Sequence, residues 1–244
     1  MSDRRRVLVV GATWLEVSTL RDAGEDRGIV GSPTDPVWRR ALRELDLSVA
    51  LSGVGKSVAA ARTAALASTS SYQLCVNVGI AGAFRESGLA PGDVVVATDE
   101  VLADEGTLTP SGFVPLDLMN LPYTWGFNHF QLPHPLGMKP ELLSMANGEL
   151  GFRVVTGSLC TVSTCSGTDE RAREIYARYG CLAESMEGAS CAIAARTAHT
   201  PFVEVRGISN FTGDRYPAQW RIPEAAENAQ RVVLQLLESW SEAP

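Results

Sequence analysis

Four short segments carry the residue types from which a polar reaction site can be built. They are Gly11-Ala-Thr-Trp-Leu-Glu16, Asn77-Val-Gly-Ile-Ala-Gly-Ala83, Glu184-Ser-Met-Glu-Gly-Ala189 and Arg206-Gly-Ile-Ser-Asn210. A carboxylate can take a proton from an attacking group, and an amide offers N–H donors beside a carbonyl acceptor. All four segments fall at the ends of apolar runs that read as strands, and in open α/β sheets the carboxyl ends of strands form the ligand crevice. Two carboxylates (Glu16 and Glu187), a turn of small residues and the amide of Asn210 are therefore expected to converge there. The pattern alone leaves a second reading open for each acid, because the first turn of a helix favours carboxylates through its dipole.

The elements that must position these groups alternate along the chain. Val7–Val10, Leu47–Leu51, Leu74–Val78, Val94–Ala97, Val154–Ser158 and Phe202–Val205 are short, apolar and rich in β-branched residues, as buried strands are. Helical patterns lie between or after them at Leu15–Ala23, Lys56–Ser68, Thr168–Tyr179, Met186–Thr197 and Glu224–Trp240. Thr168-Asp169-Glu170 suits a helix start, Gly180 a helix end, and Pro223 a first turn. This alternation predicts an α/β protein, a single domain over residues 1–244 whose mixed, mainly parallel central sheet is flanked by helices. The stretch Glu105–Gly137 stands apart. It lacks periodicity, is rich in proline, glycine and aromatic residues, and is expected to be a packed, ligand-facing loop.

Composition narrows the chemistry. The net charge is −7 and the basic residues are dispersed, which argues against nucleic acid or an anionic membrane as partner. Five cysteines without a CxxC pair read as reduced, buried thiols and suggest a cytoplasmic location. The four apolar residues before Gly11 are too few for a signal-peptide core, and no apolar run has the length of a bilayer span. Ala50-Leu-Ser-Gly-Val-Gly-Lys-Ser57 imitates a phosphate-binding loop, but alanine stands where that motif begins with glycine. G-x-G-x-x-G and G-x-S-x-G are absent, and the three histidines lack metal-ligand spacing.

Taken together, the four segments and their flanks Gly92–Glu100 and Pro201–Ser209 resemble the purine nucleoside phosphorylase and nucleosidase superfamily. The likeness is nearest to its methylthioadenosine/S-adenosylhomocysteine nucleosidase branch, and it covers nearly the whole chain outside Glu105–Gly137. The resemblance implies a nucleoside phosphorylase-like fold in which Glu16 activates the attacking water and Glu187 holds the ribose hydroxyls. Met186 would pack on the sugar, with Ile80, Ala81 and Gly82 of the glycine turn against the nucleoside. Phosphorylases of the bacterial hexameric kind bind phosphate with an arginine and a serine. Asn77 and Ile80 stand at those positions, so water is the expected nucleophile.

A second departure concerns the base. Adenine-specific nucleosidases have an aspartate at the position of Asn210, whereas an amide N–H suits a 6-oxopurine. Asp169 stands where 6-oxopurine enzymes place a glutamate for the base N1–H, although it also reads as a plain first-turn acid. Thr168 replaces the family's stacking aromatic, so that contact is lost or supplied elsewhere. Ser209-Asn-x-x-Gly-Asp-Arg215 and Glu184–Ala189 point further, to members that hydrolyse futalosine to hypoxanthine and dehypoxanthine futalosine in menaquinone biosynthesis. For the carboxylated aromatic group of that substrate, Trp125 and Phe127 offer a wall and Arg215 a charge partner; oligomer contact is the other reading of their loop. The resemblance implies a purine nucleoside and water as small-molecule partners, no metal, no organic cofactor, and a homo-oligomer. An adenine nucleosidase and a non-catalytic nucleoside-binding protein remain the alternatives.

Overall fold

The run Val-Leu-Val-Val at 7–10 has no polar face and must be covered on both sides. In the computed structural model, which describes residues 4–119, 129–132, 150–214 and 216–241, it forms the middle of β1 (Arg5–Gly11). β1 lies between two parallel neighbours, β4 (Leu45–Leu51) and β5 (Leu74–Ala83). Side chains alternate across a strand, and the packing follows suit. Val7 and Val9 join a core with α1 (Trp14–Arg21) and α5 (Ile222–Ser241). Leu8 and Val10 join the opposite core, with α2 (Lys56–Ala67) and α4 (Gly188–Thr197). A third cluster packs α3 (Asp169–Tyr179) against Phe84, Cys160 and Cys181.

From β5 the sheet continues in parallel to β12 (Phe202–Phe211), then antiparallel to β6 (Val94–Leu102) and in parallel to β10 (Val154–Thr161). The three-residue strand β11 (Ala183–Ser185) runs parallel to β10 and also pairs antiparallel with β5, through Ala183 with Ala83 and Glu184 with Gly82. The path β5–β12–β6–β10–β11 thus returns to β5, and this closure gathers the strand ends that carry the polar residues.

The six expected strands and five expected helices are all present, and the fold is the expected α/β arrangement around a mixed sheet. Six further strands are present among the described residues, three of them outside Glu105–Gly137. β2 (Glu25–Ser32) and β3 (Asp35–Leu42) extend the sheet antiparallel beyond β4; every residue of β2 is exposed, so it shows no apolar alternation to read. β11 is set by partners distant in sequence rather than by its own pattern. α4 begins at Gly188 and not at Met186, with Glu187 as its N-cap. Within Glu105–Gly137, β7 (Gly106–Thr109) and β8 (Gly112–Pro115) form a hairpin and β9 (His129–Gln131) adds to β6. The rest of that stretch after Met119, other than residues 129–132, lies outside the described residues.

Gly207 in β12 shows how closely the layers meet. A Cβ there would overlap the backbone carbonyl of Ala225 in α5, and a carbonyl has no rotamer to escape into. Gly207→Ala is expected to destabilise the fold by about 1–3 kcal/mol, read as a lowered urea midpoint; an unchanged midpoint would show that α5 can shift freely.

Candidate active site

The closed circuit brings the ends of β1, β5, β11 and β12 to one cavity of about 440 Å³, whose lining includes Glu16, Ile80, Gly82, Met186, Glu187 and Asn210. Glu16 sits in the first turn of α1. Its Oε2 accepts from the Thr13 backbone N–H at 2.9 Å and the Thr13 hydroxyl at 2.8 Å, and its Oε1 accepts from the Ile80 N–H at 3.0 Å. Glu16 therefore serves the start of α1 and also lines the cavity in a fixed orientation.

Glu187 caps α4 by position, yet its side chain reaches across the site. Oε1 accepts from the Gly55 N–H at 3.0 Å, and Oε2 lies 3.4 Å from Arg206 Nη1. Burial raises its pKa, and Arg206 and the Gly55 N–H pull it back. Met186 beside it is half-buried.

Asn210 follows an irregularity in the β12–β5 ladder, where Ile208 pairs with Ala81 and Asn210 with Gly82. Such a bulge re-aims a side chain. The amide atom 2.7 Å from the Phe211 carbonyl oxygen must be the NH2 group, since a carbonyl can only accept. Oδ1 accepts from the Ser209 hydroxyl at 2.7 Å. The amide is thereby fixed, and among the described residues its second Nδ2 hydrogen meets no acceptor.

Beneath the cavity lies a charged layer that the sequence analysis did not assign. Arg206 is wholly buried. Its Nε donates to Glu204, its Nη2 donates to Asn77 Oδ1 at 2.5 Å, and its Nη1 donates to the Ile80 carbonyl at 3.4 Å. Burial alone would depress its pKa, but Glu204, Glu187 and Glu16 raise it further. Asn77 uses its other end on the Val10 carbonyl at 3.0 Å and is fully buried, so it presents nothing to an anion in the cavity. Glu100, also fully buried, faces Glu204; burial and then that neighbour push its pKa well up. The signal for this layer was available: glutamate and arginine within an apolar strand, Phe202–Phe211, that is covered on both faces.

The loop that imitates a phosphate site is committed elsewhere. The Gly55 N–H binds Glu187, and Lys56 Nζ donates to Asp104 at 2.6 Å and Glu105 at 3.2 Å.

The remaining expected residues divide. Ile80 and Gly82 line the cavity, whereas Ala81 is buried beside it, its carbonyl oxygen 3.2 Å from the Ser209 hydroxyl. Thr168 is exposed and caps α3, and Asp169 sits behind Gly213, exchanging hydrogen bonds with Asp214. Neither is among the described lining residues. Trp125, Phe127 and Arg215 lie outside the described residues. The described aromatic lining is instead Phe211 and Trp220, and Glu184, Ser166 and Cys165 complete one wall. Cys75, Cys160, Cys181 and Cys191 are buried thiols, as expected, whereas Cys165 departs from that expectation, being half-buried at the cavity. Among the described residues no group of His, Cys, Asp and Glu is arranged to hold a metal, and no helix is long and apolar enough to cross a membrane.

A nucleoside-sized cavity with two carboxylates at the strand ends of a mixed α/β sheet defines a class, and the chain belongs to it. It is a member of the phosphorylase superfamily, whose family model matches residues 6–238. Futalosine hydrolases from Acidothermus cellulolyticus and Thermus thermophilus are each 34% identical to it. The first match spans 69% of this chain and 66% of the relative, the second 92% and 95%. A 5′-methylthioadenosine/S-adenosylhomocysteine nucleosidase from Colwellia psychrerythraea is 30% identical over 94% of both chains. A crystal structure of such a nucleosidase from that organism, in complex with adenine, superimposes with a TM-score of 0.82 at 25% identity, covering 97% of this chain and 96% of the other.

Glu100 yields a pH prediction. An acid whose folded pKa is raised contributes most favourably below its ordinary value of 4.5 and costs stability as pH climbs above it. Glu100→Gln mimics the protonated form. It should gain stability over the wild type between pH 5 and pH 8, by up to about 1.4 kcal/mol per pH unit, in chemical denaturation at both pH values. A difference that stays flat or shrinks across that range would show that burial does not raise the pKa of Glu100.

Proposed function

We propose that this protein is an N-glycosidase that uses water to cleave a 6-oxopurine from its ribose, with futalosine as substrate and hypoxanthine as the released base. The observation that carries the hydrolase reading is the charge of the cavity: Glu16, Glu184 and Glu187 line it, and no Lys, Arg or His is among the described lining residues. A phosphate dianion needs cationic forks or several donors, and three carboxylates repel it. Water does not have that requirement. In this reading Glu16 takes the proton as water adds to the sugar carbon. Glu187 holds the ribose hydroxyls and attracts the positive charge that develops on the ring as the base departs. The leftover Nδ2 hydrogen of Asn210 is donated to the acceptor edge of the base, O6 or N7.

The relatives named futalosine hydrolase support the choice of substrate, and with it a place in menaquinone biosynthesis. The nucleosidase relative favours the adenine alternative and sets the contrast to be tested. Purified protein should release hypoxanthine from futalosine at the same rate with and without phosphate, followed by chromatography of the free base; an absolute need for phosphate would overturn the hydrolase reading. Glu16→Gln should lower kcat about 10²- to 10⁴-fold. Turnover that survives this change would remove Glu16 as the base. Asn210→Asp should shift preference from futalosine toward aminofutalosine, which carries adenine instead, and an unmoved ratio of kcat/KM values would contradict the role given to the amide.

A further inference from the structure

A 6-oxopurine presents two kinds of group on adjoining positions: acceptors at O6 and N7, and a donor at N1–H. Asn210 answers the first, and the second needs an acceptor. We infer that Glu184 is that acceptor and is the second base-selecting residue of the site, an assignment that rests on the 6-oxopurine reading above.

The sheet register carries this placement. Gly82 of β5 pairs with Asn210 on β12 and with Glu184 on β11. Residues directly opposite on paired strands project to the same face, and both side chains line the cavity. At one strand spacing on either side of Gly82, their backbones stand roughly 10 Å apart. Gly82 has no side chain to fill the space between them, and a Cβ there would come within 3.3 Å of Asn210 Nδ2. The gap suits a flat bicyclic base lying edge-on between an amide donor and a carboxylate acceptor.

Glu184 also has capacity to spare. It is buried, and it accepts from the Ser166 N–H and the Ser166 hydroxyl, each at 2.7 Å. An ionised carboxylate offers about four lone-pair positions, so positions remain for a ligand. Among the described residues no cation pairs with it, Arg171 acting only from farther away. Burial raises its pKa, with Ser166 and Arg171 opposing that shift. A ligand N–H would satisfy this carboxylate, whereas adenine would set the lone pair of its bare N1 against it and its 6-amino group against the Asn210 amide. Buried groups left unpaired in that way discriminate strongly between bases. Asp169, the acid expected in this role, already accepts the Asp214 N–H and lies outside the described lining.

Futalosine and aminofutalosine test the assignment, because they differ only at the 6-position of the base and the protonation that follows from it. The wild type should favour futalosine. Glu184→Gln should lower kcat/KM for futalosine about 10- to 100-fold and that for aminofutalosine by much less, collapsing the ratio. Asp169→Asn, a change at the acid that lies outside the described lining, should leave the ratio unchanged. If Glu184→Gln does not fold, Glu184→Asp carries the comparison, since its shorter reach should lower the ratio in the same direction. Equal loss on both substrates, or none, would reduce Glu184 to a support for the Ser166 loop and overturn the assignment alone. A wild-type preference for aminofutalosine would overturn the 6-oxopurine reading and this assignment with it.

Discussion

The buried guanidinium of Arg206 sets the terms for everything around it. A cation with no exposed surface must be met by charge and by hydrogen-bond acceptors from every side, and stripping away one partner of a buried pair costs about 3–5 kcal/mol. Here the partners come from separate parts of the chain: Glu204 from the same strand, Asn77 and the Ile80 carbonyl from β5, and Glu187 from the start of α4. Satisfying one side chain therefore fixes the relative positions of β5, β12 and α4. It also accounts for glycines that look like mere turn residues in the sequence. A Cβ on Gly79 would overlap Arg206, and a Cβ on Gly188 would overlap the Glu204 carboxylate. Those positions are glycine because the charged layer occupies the room a side chain would need.

The same layer shapes the electrostatics above it. Arg206 lies beneath the cavity and faces Glu187 from behind, so its charge steadies that carboxylate without being offered to a ligand. Carboxylates outnumber the guanidinium in this region, with Glu16, Glu187 and Glu204 around a single cation. Such a floor disfavours an anionic co-substrate and favours a sugar that gains positive charge during bond cleavage. In the proposed hydrolase, selection of the nucleophile and stabilisation of the transition state would thus share one physical origin.

Much of this was legible in the residues. The strands were readable because a short β-branched run buried on both faces leaves no alternative, and Glu16 and Asn210 stand out because each follows such a run. What could not be read depended on register. β11 is three residues long and exists only because β10 and β5 lie on either side of it. Glu184 faces Asn210 across Gly82 through two separate pairings, neither visible in local spacing. Asp169 shows the converse. Its place in a helix first turn was legible, but its carboxylate is drawn to the Asp214 backbone rather than to the cavity.

The phosphate-loop imitation at Gly53–Ser57 completes the electrostatic argument. A helix N-terminus preceded by glycines is a ready anion site, with free N–H groups and a favourable dipole. At the start of α2 the anion is the protein's own: Gly55, with φ of 97°, turns its N–H onto the Glu187 carboxylate. Lys56, which in a nucleotide-binding loop would reach for phosphate, is held by Asp104 and Glu105. The sequence resembles a phosphate site because the same local physics is at work, the attraction of a carboxylate to an exposed helix start. Its consequence here is the reverse, since a device suited to holding phosphate instead fixes a carboxylate in place at the cavity.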